Sequence, residues 1–223
     1  GIGGAATPPR IGKLLSEKLP QNFSGTGWGM TETNAQGASL TGKAFQCKPG
    51  SAGFPHPIVD IRICDEGGAA LSQGETGEIW VRSCANIREY WHRPDVNAQE
   101  IRDGWLKTGD IGYLDDDGFL FLADRAKDMI IRGGENIYPV EIENQLLELA
   151  GVREVAAIGL PHERFGEEVA VVVHLHEPGS LDAGQVLAYA SSKLAAYKVP
   201  TRVFFTEEAL PRNATNKVLK AEL

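Results

Sequence analysis

Along this chain the spacing of apolar positions changes from stretch to stretch, and each change predicts a different kind of element. Ile11, Leu14, Leu15 and Leu19 recur at helical spacing, which predicts a short amphipathic helix over residues 9–19. Between Ile58 and Ala123 the apolar residues fall instead in short runs, at 58–63, 77–82 and 118–122, separated by Gly- and Asp-rich turns. Such runs predict strands, and here a small barrel or curled sheet. Past Arg125 the rhythm is that of a compact α+β unit. It predicts a helix from Pro139 to about Ala150 with Gly151 as C-cap, strands at 152–158 and 168–175, and a helix capped by Asp182. Val186, Ala190, Leu194 and Tyr197 make that helix's expected apolar face. Pro200 ends it, and 202–205 reads as a third strand. The expected fold class is α+β in two parts, residues 1–126 and 127–223, meeting at Lys127 in a charged connector.

The stretch 124–143 carries the densest local signal. A charged dyad runs into an apolar strand, then a Gly-Gly turn, then a helix opened by proline. Gly133 and Gly134 supply the positive φ of the turn, Pro139 suits the first helical position, and Glu141 and Glu143 favour the positive end of the helix dipole. Just upstream, Asp115-Asp116-Asp117-Gly118 suggests calcium at first sight. No Glu closes the loop as an EF-hand requires, so a hairpin turn is expected.

Composition narrows the function classes. Of 223 residues 42% are hydrophobic and 23% charged, ordinary for a globular protein. A net charge of −8 argues against a broad nucleic-acid surface. Cys47, Cys64 and Cys84 form no CxxC pair, so neither a disulfide framework nor a zinc site is expected, and a reducing cytoplasm fits. No apolar run approaches the roughly 18 residues of a membrane span. His174 and His176 fall on one face of an expected strand, but nothing nearby supplies further metal ligands, so a structural or exposed role is expected.

Three places hold residues suited to chemistry. Gly27-Trp28-Gly29-Met30-Thr31-Glu32 puts an aromatic plane, a hydroxyl and a carboxylate within a Gly-flanked turn, able to meet a purine, a phosphate oxygen and Mg²⁺. Asp110, after Thr108-Gly109, is an acceptor-only carboxylate suited to a pair of ribose hydroxyls. Pro211-Arg212-Asn213-Ala214-Thr215-Asn216-Lys217 ends in a cation. Taken singly, these read as a Gly-rich turn with a core Trp, an Asp opening a turn, and a solvated lysine.

Their order and spacing, together with the 124–143 stretch, resemble the adenylate-forming (AMP-binding) superfamily. Its members are acyl- and aryl-CoA synthetases, adenylation domains of nonribosomal peptide synthetases and firefly-type luciferases. The resemblance runs nearly end to end and implies the C-terminal portion of a longer enzyme. Residues 1–126 would be the end of the large AMP-binding domain, with a β-barrel-like subdomain. Residues 127–223 would be a mobile C-terminal lid that rotates about Lys127.

By the same resemblance, Gly3-Gly4-Ala5, Trp28, Gly29, Met30 and Thr31 line the ATP/AMP site. Glu32 holds magnesium, Asp110 the ribose, and Arg125 assists at ribose and phosphate. Gly133-Gly134-Glu135 lines the pantetheine tunnel for CoA, and Lys217 is the catalytic cation, with Lys220 a weaker alternative. Trp28 stands where the family usually has Tyr, and Asn216 where it normally has Gly. Asn is the non-Gly residue most tolerant of positive φ. The implied activity is AMP-forming acyl-CoA synthesis from a carboxylic acid, ATP and CoA. The alternatives are loading of a carrier-protein thiol and a non-catalytic module that kept the fold. The Ser/Thr/Gly-rich phosphate loop of the family has no counterpart here, so the 223 residues by themselves are expected to be inactive.

Overall fold

The structure, a computed structural model, describes residues 14, 15, 17, 18, 25–214 and 217–223. Of the helix expected over 9–19, Leu14, Leu15, Glu17 and Lys18 are described and are helical; the rest lies outside the described residues, as do Gly3, Gly4, Ala5 and Asn216. The chain divides into two compact units, Gly1–Ala126 and Lys127–Leu223.

In the first unit β1 (Gly25–Gly29), β2 (Gly37–Thr41), α1 (Gly42–Cys47), β3 (Ser51–Pro55), β4 (Val59–Cys64) and β5 (Gly77–Ser83) precede α2 (Pro94–Glu100). Then come β6 (Ile101–Arg102), β7 (Trp105–Leu114) and β8 (Leu120–Arg125). They form one sheet in the order β1-β2-β3-β8-β7-β5-β4, with β6 alongside β7. Among the described residues this path stays open, so the expected barrel is not closed. Closure needs the first and last strands to pair; β4 pairs with β5 and β1 with β2. The register shifts in β3, β5 and β7 bend the sheet without closing it.

Alternation along β5 sorts its side chains to two cores. Ile79 and Val81 join Val59, Ile63, Leu120 and Trp28, while Trp80 packs with Cys64 and Trp105 on the other side. The Arg62 and Arg82 guanidinium carbons lie 4.2 and 4.7 Å from the Trp105 ring centroid, covering it by cation–π contact. Asp115-Asp116-Asp117-Gly118 forms the β7–β8 turn. Asp115 accepts from the Phe119 and Asp117 amides, and Lys48 Nζ lies 2.6 Å from both Asp115 and Asp117. That ammonium offsets part of the turn's negative charge.

The second unit runs β9 (Ile130–Arg132), β10 (Glu135–Ile137), α3 (Pro139–Leu146), β11 (Val152–His162), β12 (Gly166–Leu175), α4 (Ala183–Lys193) and β13 (Arg202–Thr206). Its sheet order is β10-β9-β12-β11, with β13 parallel to β12 on the side away from β11. Both helices obey their local signals. Pro139 opens α3, and Asp182 accepts from the Gln185 amide while the Gln185 side chain returns to the Asp182 amide, a complete capping box.

Helix α3 stops short of the expected Ala150. Three-residue turn bonds, Leu149 N–H to Leu146 O and Val152 N–H to Leu149 O, take over there, and Gly151 at φ +103° lets the chain enter β11. Helix α4 likewise ends before Tyr197. Leu194 is extended (φ −113°, ψ 152°), so Tyr197 leaves the apolar face and is 37% exposed.

Central strand β12 is buried on both faces. Val169, Val171 and Val173 meet Ile142, Leu146, Val186 and Ala190 of the two helices, while Val172 and Ala156 face Leu210 and Val218 from the chain's last segment. That helix-covered core lies entirely within 127–223, so residues 127–223 expressed alone should fold. The check is a single cooperative thermal transition by circular dichroism; a non-cooperative, melted profile would refute it.

Candidate active site

In the first unit the chemistry converges on Asp110. Between the pairs Glu78↔Ile111 and Trp80↔Lys107, β5 offers Ile79 alone while β7 offers Thr108, Gly109 and Asp110. This bulge re-aims the strand, and Gly109 takes the φ of +66° that it needs. The Thr108 hydroxyl donates to Ile79 O at 2.6 Å and accepts the Asp110 amide at 3.1 Å. The Gly109 amide donates to Glu78 Oε1 at 3.2 Å. Both carboxylate oxygens of Asp110 are held as well. Trp28 Nε1–H donates to Oδ2 at 2.8 Å, and Arg125 Nε, cross-strand in β8, lies 3.3 Å from Oδ1. Each oxygen has a second lone pair to offer a ligand.

Trp28 itself is 8% exposed. Its ring packs where Gly37 has no side chain; a Cβ there would lie 2.9 Å from the ring and closer still to the Trp28 carbonyl. The plane expected to stack on a purine is therefore largely covered, and the indole N–H supplies the contact to Asp110.

Beyond β1 the chain turns through Met30 into the 3₁₀ turn Thr31–Thr33. Thr33, fully buried, fixes this turn: its hydroxyl accepts the Met30 amide at 3.2 Å and donates to the Gln36 carbonyl. Thr31 stays exposed and Glu32 half-buried. Tyr90 O–H donates to Glu32 Oε1 at 3.4 Å, and the Ile87 amide donates to the Glu32 carbonyl at 2.7 Å. Burial, and then the nearby Glu32 charge, push the Tyr90 hydroxyl above its usual range. Among the described residues no three His, Cys, Asp or Glu side chains gather as a metal cage. A single half-buried carboxylate fits Mg²⁺, which commonly takes one or two carboxylates and fills its remaining positions with phosphate oxygens and water.

In the second unit, Gly133 and Gly134 adopt φ +62° and +89°. The Gly133 amide donates to Phe165 O at 2.8 Å, and a Cβ on Gly133 would lie 3.3 Å from the Phe165 ring, whereas nothing lies within 4 Å of one on Gly134. Glu135 is exposed at the start of β10. Lys127 is exposed within the 3₁₀ turn Ala126–Asp128.

Lys217 lies in a short hairpin at the end of the chain. Its amide donates to Asn213 Oδ1 and its carbonyl accepts the Asn213 amide, both at 2.9 Å, beside the bridge Arg212↔Val218. Its ammonium has no ion-pair partner among the described residues. Lys220, by contrast, sits 2.7 Å from Glu143 Oε1, with both side chains largely covered. The structure thus separates the two candidate cations, one uncommitted and one tied down.

Sequence reasoning passed over Thr108, Tyr90 and Glu154. Thr108 had a local signal, being two residues from Asp110. Tyr90 and Glu154 had none, because their partners lie far along the chain. Glu154 accepts from Arg212 at 2.6 Å, from the Leu210 amide at 3.1 Å, and pairs with His174 Nδ1 at 3.1 Å. Burial works to raise its carboxyl, but Arg212, His174 and the Leu210 amide outweigh it and hold it below the usual range. His174 is 7% exposed and pairs with Glu154, and His176 lies past the end of β12.

Comparison with known proteins gives the family. The AMP-binding enzyme family model matches residues 1–91, and the model of the AMP-binding enzyme C-terminal domain matches residues 141–217. Long-chain-fatty-acid–CoA ligase FadD13 of Mycobacterium tuberculosis is 40% identical over 221 residues, and 2-succinylbenzoate–CoA ligase of Geobacillus kaustophilus 42% over 223. These alignments cover 99% and 100% of this chain but 43% and 44% of the relatives, so the chain spans less than half their length. Among solved structures, o-succinylbenzoate CoA synthetase of Bacillus subtilis in complex with its acyl-adenylate intermediate superposes with a TM-score of 0.90 at 38% identity. That match covers 99% of this chain and 44% of the other. The same enzyme has been solved with ATP and a magnesium ion. No helix among the described residues is long and apolar enough to cross a membrane. With both family models matched in chain order and acyl-CoA ligases aligned along nearly its whole length, this chain belongs to the adenylate-forming, AMP-binding superfamily.

Proposed function

We propose that this chain is part of an AMP-forming acid–CoA ligase, which converts a carboxylic acid and ATP to an acyl-adenylate and pyrophosphate and then transfers the acyl group to CoA. The observation that carries the reading is Asp110, a carboxylate set on a bulge and held at both oxygens by Trp28 and Arg125. An acceptor fixed in this way binds two vicinal hydroxyls without first losing rotamer freedom, as a ribose requires. Glu32 is the protein ligand for Mg²⁺, which would neutralise charge on the triphosphate. Lys217, as the catalytic cation, would offset the repulsion between carboxylate and α-phosphate, two anions that must meet. Gly133 and Gly134 leave the β9–β10 turn free of side chains, as close passage of a pantetheine arm needs.

The relatives named above act on a long-chain fatty acid and on 2-succinylbenzoate, so the ligase reading extends to this chain and the choice of acid does not. ATP–pyrophosphate exchange by the full-length protein, followed by CoA-dependent release of AMP, tests it. Exchange without CoA dependence would favour a carrier-protein acceptor, and no exchange with any acid of an aliphatic and aryl panel would overturn the reading.

The connector gives a separate prediction. If Lys127–Leu223 turns about Lys127 between the half-reactions, Lys127 must change its backbone angles. Proline there fixes φ near −65° and disfavours helical backbone at Ala126. Lys127→Pro should leave adenylation within a few-fold while thioester formation falls by about tenfold or more. Equal losses in a folded variant would remove the hinge assignment.

A further inference from the structure

On the outer face of the β11–β12 sheet, away from α3 and α4, no helix of Lys127–Leu223 packs among the described residues. Glu154, Ala156 and Ile158 alternate onto it from β11, opposite His174 and Val172 of β12. What covers this face is the segment that carries Lys217. Leu210, 3% exposed, and Val218 pack on Ala156, Val172 and Ile158. Beside this apolar seat the Glu154 carboxylate takes the segment at two points, the Leu210 amide at Oε2 and the Arg212 guanidinium at Oε1. His174 Nδ1 holds Oε2 from the sheet side. Arg212 is in turn the residue bridged to Val218, and Asn213 grips Lys217 through both backbone groups.

We propose that Glu154 is a positioning residue for adenylation, acting through Arg212 to fix the hairpin that sets Lys217. The inference rests on the ligase reading and on Lys217 being its catalytic cation. A lysine ammonium is a point charge on a flexible stem, so the backbone from which it springs is the part that the fold can hold still. Rate then depends on that backbone, since a displacement of about 1 Å costs up to roughly a hundredfold. The Glu154–Arg212 pair is suited to the task because it ties side chain to side chain across 58 residues of sequence.

The test uses the full-length protein with Glu154→Gln, Arg212→Met, Arg212→Lys, Lys217→Ala and the double variant Glu154→Gln/Lys217→Ala. Adenylation is read by pyrophosphate exchange, thioester formation from supplied acyl-adenylate and CoA, and folding by the thermal midpoint. Glu154→Gln and Arg212→Met should each slow adenylation roughly ten- to a hundredfold, leave thioester formation within about twofold, and add nothing to Lys217→Ala in the double variant. Arg212→Lys, which keeps the charge, should recover part of the loss. Parallel loss of both half-reactions together with the thermal midpoint would reduce Glu154 to a structural role and overturn the proposal. So would full adenylation by Glu154→Gln while Lys217→Ala is slow, an outcome that leaves the ligase reading intact. Normal adenylation by Lys217→Ala would overturn the proposal and the role of Lys217 together.

Discussion

Lys217→Ala should slow adenylation by about 10²–10³-fold and leave thioester formation from supplied acyl-adenylate nearly unchanged. The expected size follows from analogy with removing one preorganised donor from an oxyanion site, roughly 3–4 kcal/mol of transition-state stabilisation. The asymmetry between half-reactions follows from the chemistry. Only the first brings two anions together, and only there does a cation between them offset repulsion. Lys220 is the internal control. Its ammonium is paired with Glu143, whose Oε1 also accepts the Ala157 amide at 2.9 Å. Lys220→Ala therefore acts on the packing of the last segment against α3 and should lower the thermal midpoint more than the rate. If Lys220→Ala abolished adenylation and Lys217→Ala did not, the two assignments would have to be exchanged.

Asp110→Ala should raise the KM for ATP by roughly 10²-fold and abolish discrimination against a nucleotide that lacks the ribose hydroxyls. A hydrogen bond to a charged group contributes about 1.5–3 kcal/mol, and two hydroxyls meet one carboxylate. The diagnostic quantity is the ratio of kcat/KM for ATP to that for 2′,3′-dideoxy-ATP. It should be large in the parent and close to one in the variant. Because Trp28 Nε1–H would lose its acceptor in a covered site, Asp110→Ala should also cost about 1–3 kcal/mol of stability. Asp110→Asn keeps an oxygen for Trp28 and separates the two effects, since it should restore most of the stability and only part of the ribose selectivity. Retained discrimination in a folded Asp110→Ala protein would show that the ribose is read elsewhere.

By itself the sequence determined what a few neighbouring residues can decide. The Gly133-Gly134 turn, the proline start of α3 and the Asp182 cap all formed as read, because backbone preference and capping are settled within one turn of chain. Strand periodicity located β4, β5, β11 and β12, and the motifs in order resembled the superfamily to which the chain belongs.

The tertiary structure decided whatever joins distant segments. Whether the first sheet closes depends on which strands become its edges, and alternation within a strand carries no record of that. The Trp28–Asp110 bond spans 82 residues, and Tyr90–Glu32 spans 58. Each exists only because sheet register brings its partners within hydrogen-bond reach. Lys217 and Lys220, three residues apart, look alike as letters. They part company because β11 and α3 set Glu143 within 2.7 Å of one ammonium and leave the other without an acid among the described residues. Burial and register, which depend on the whole packed unit, set these contacts, whereas local propensity sets only turns and element starts.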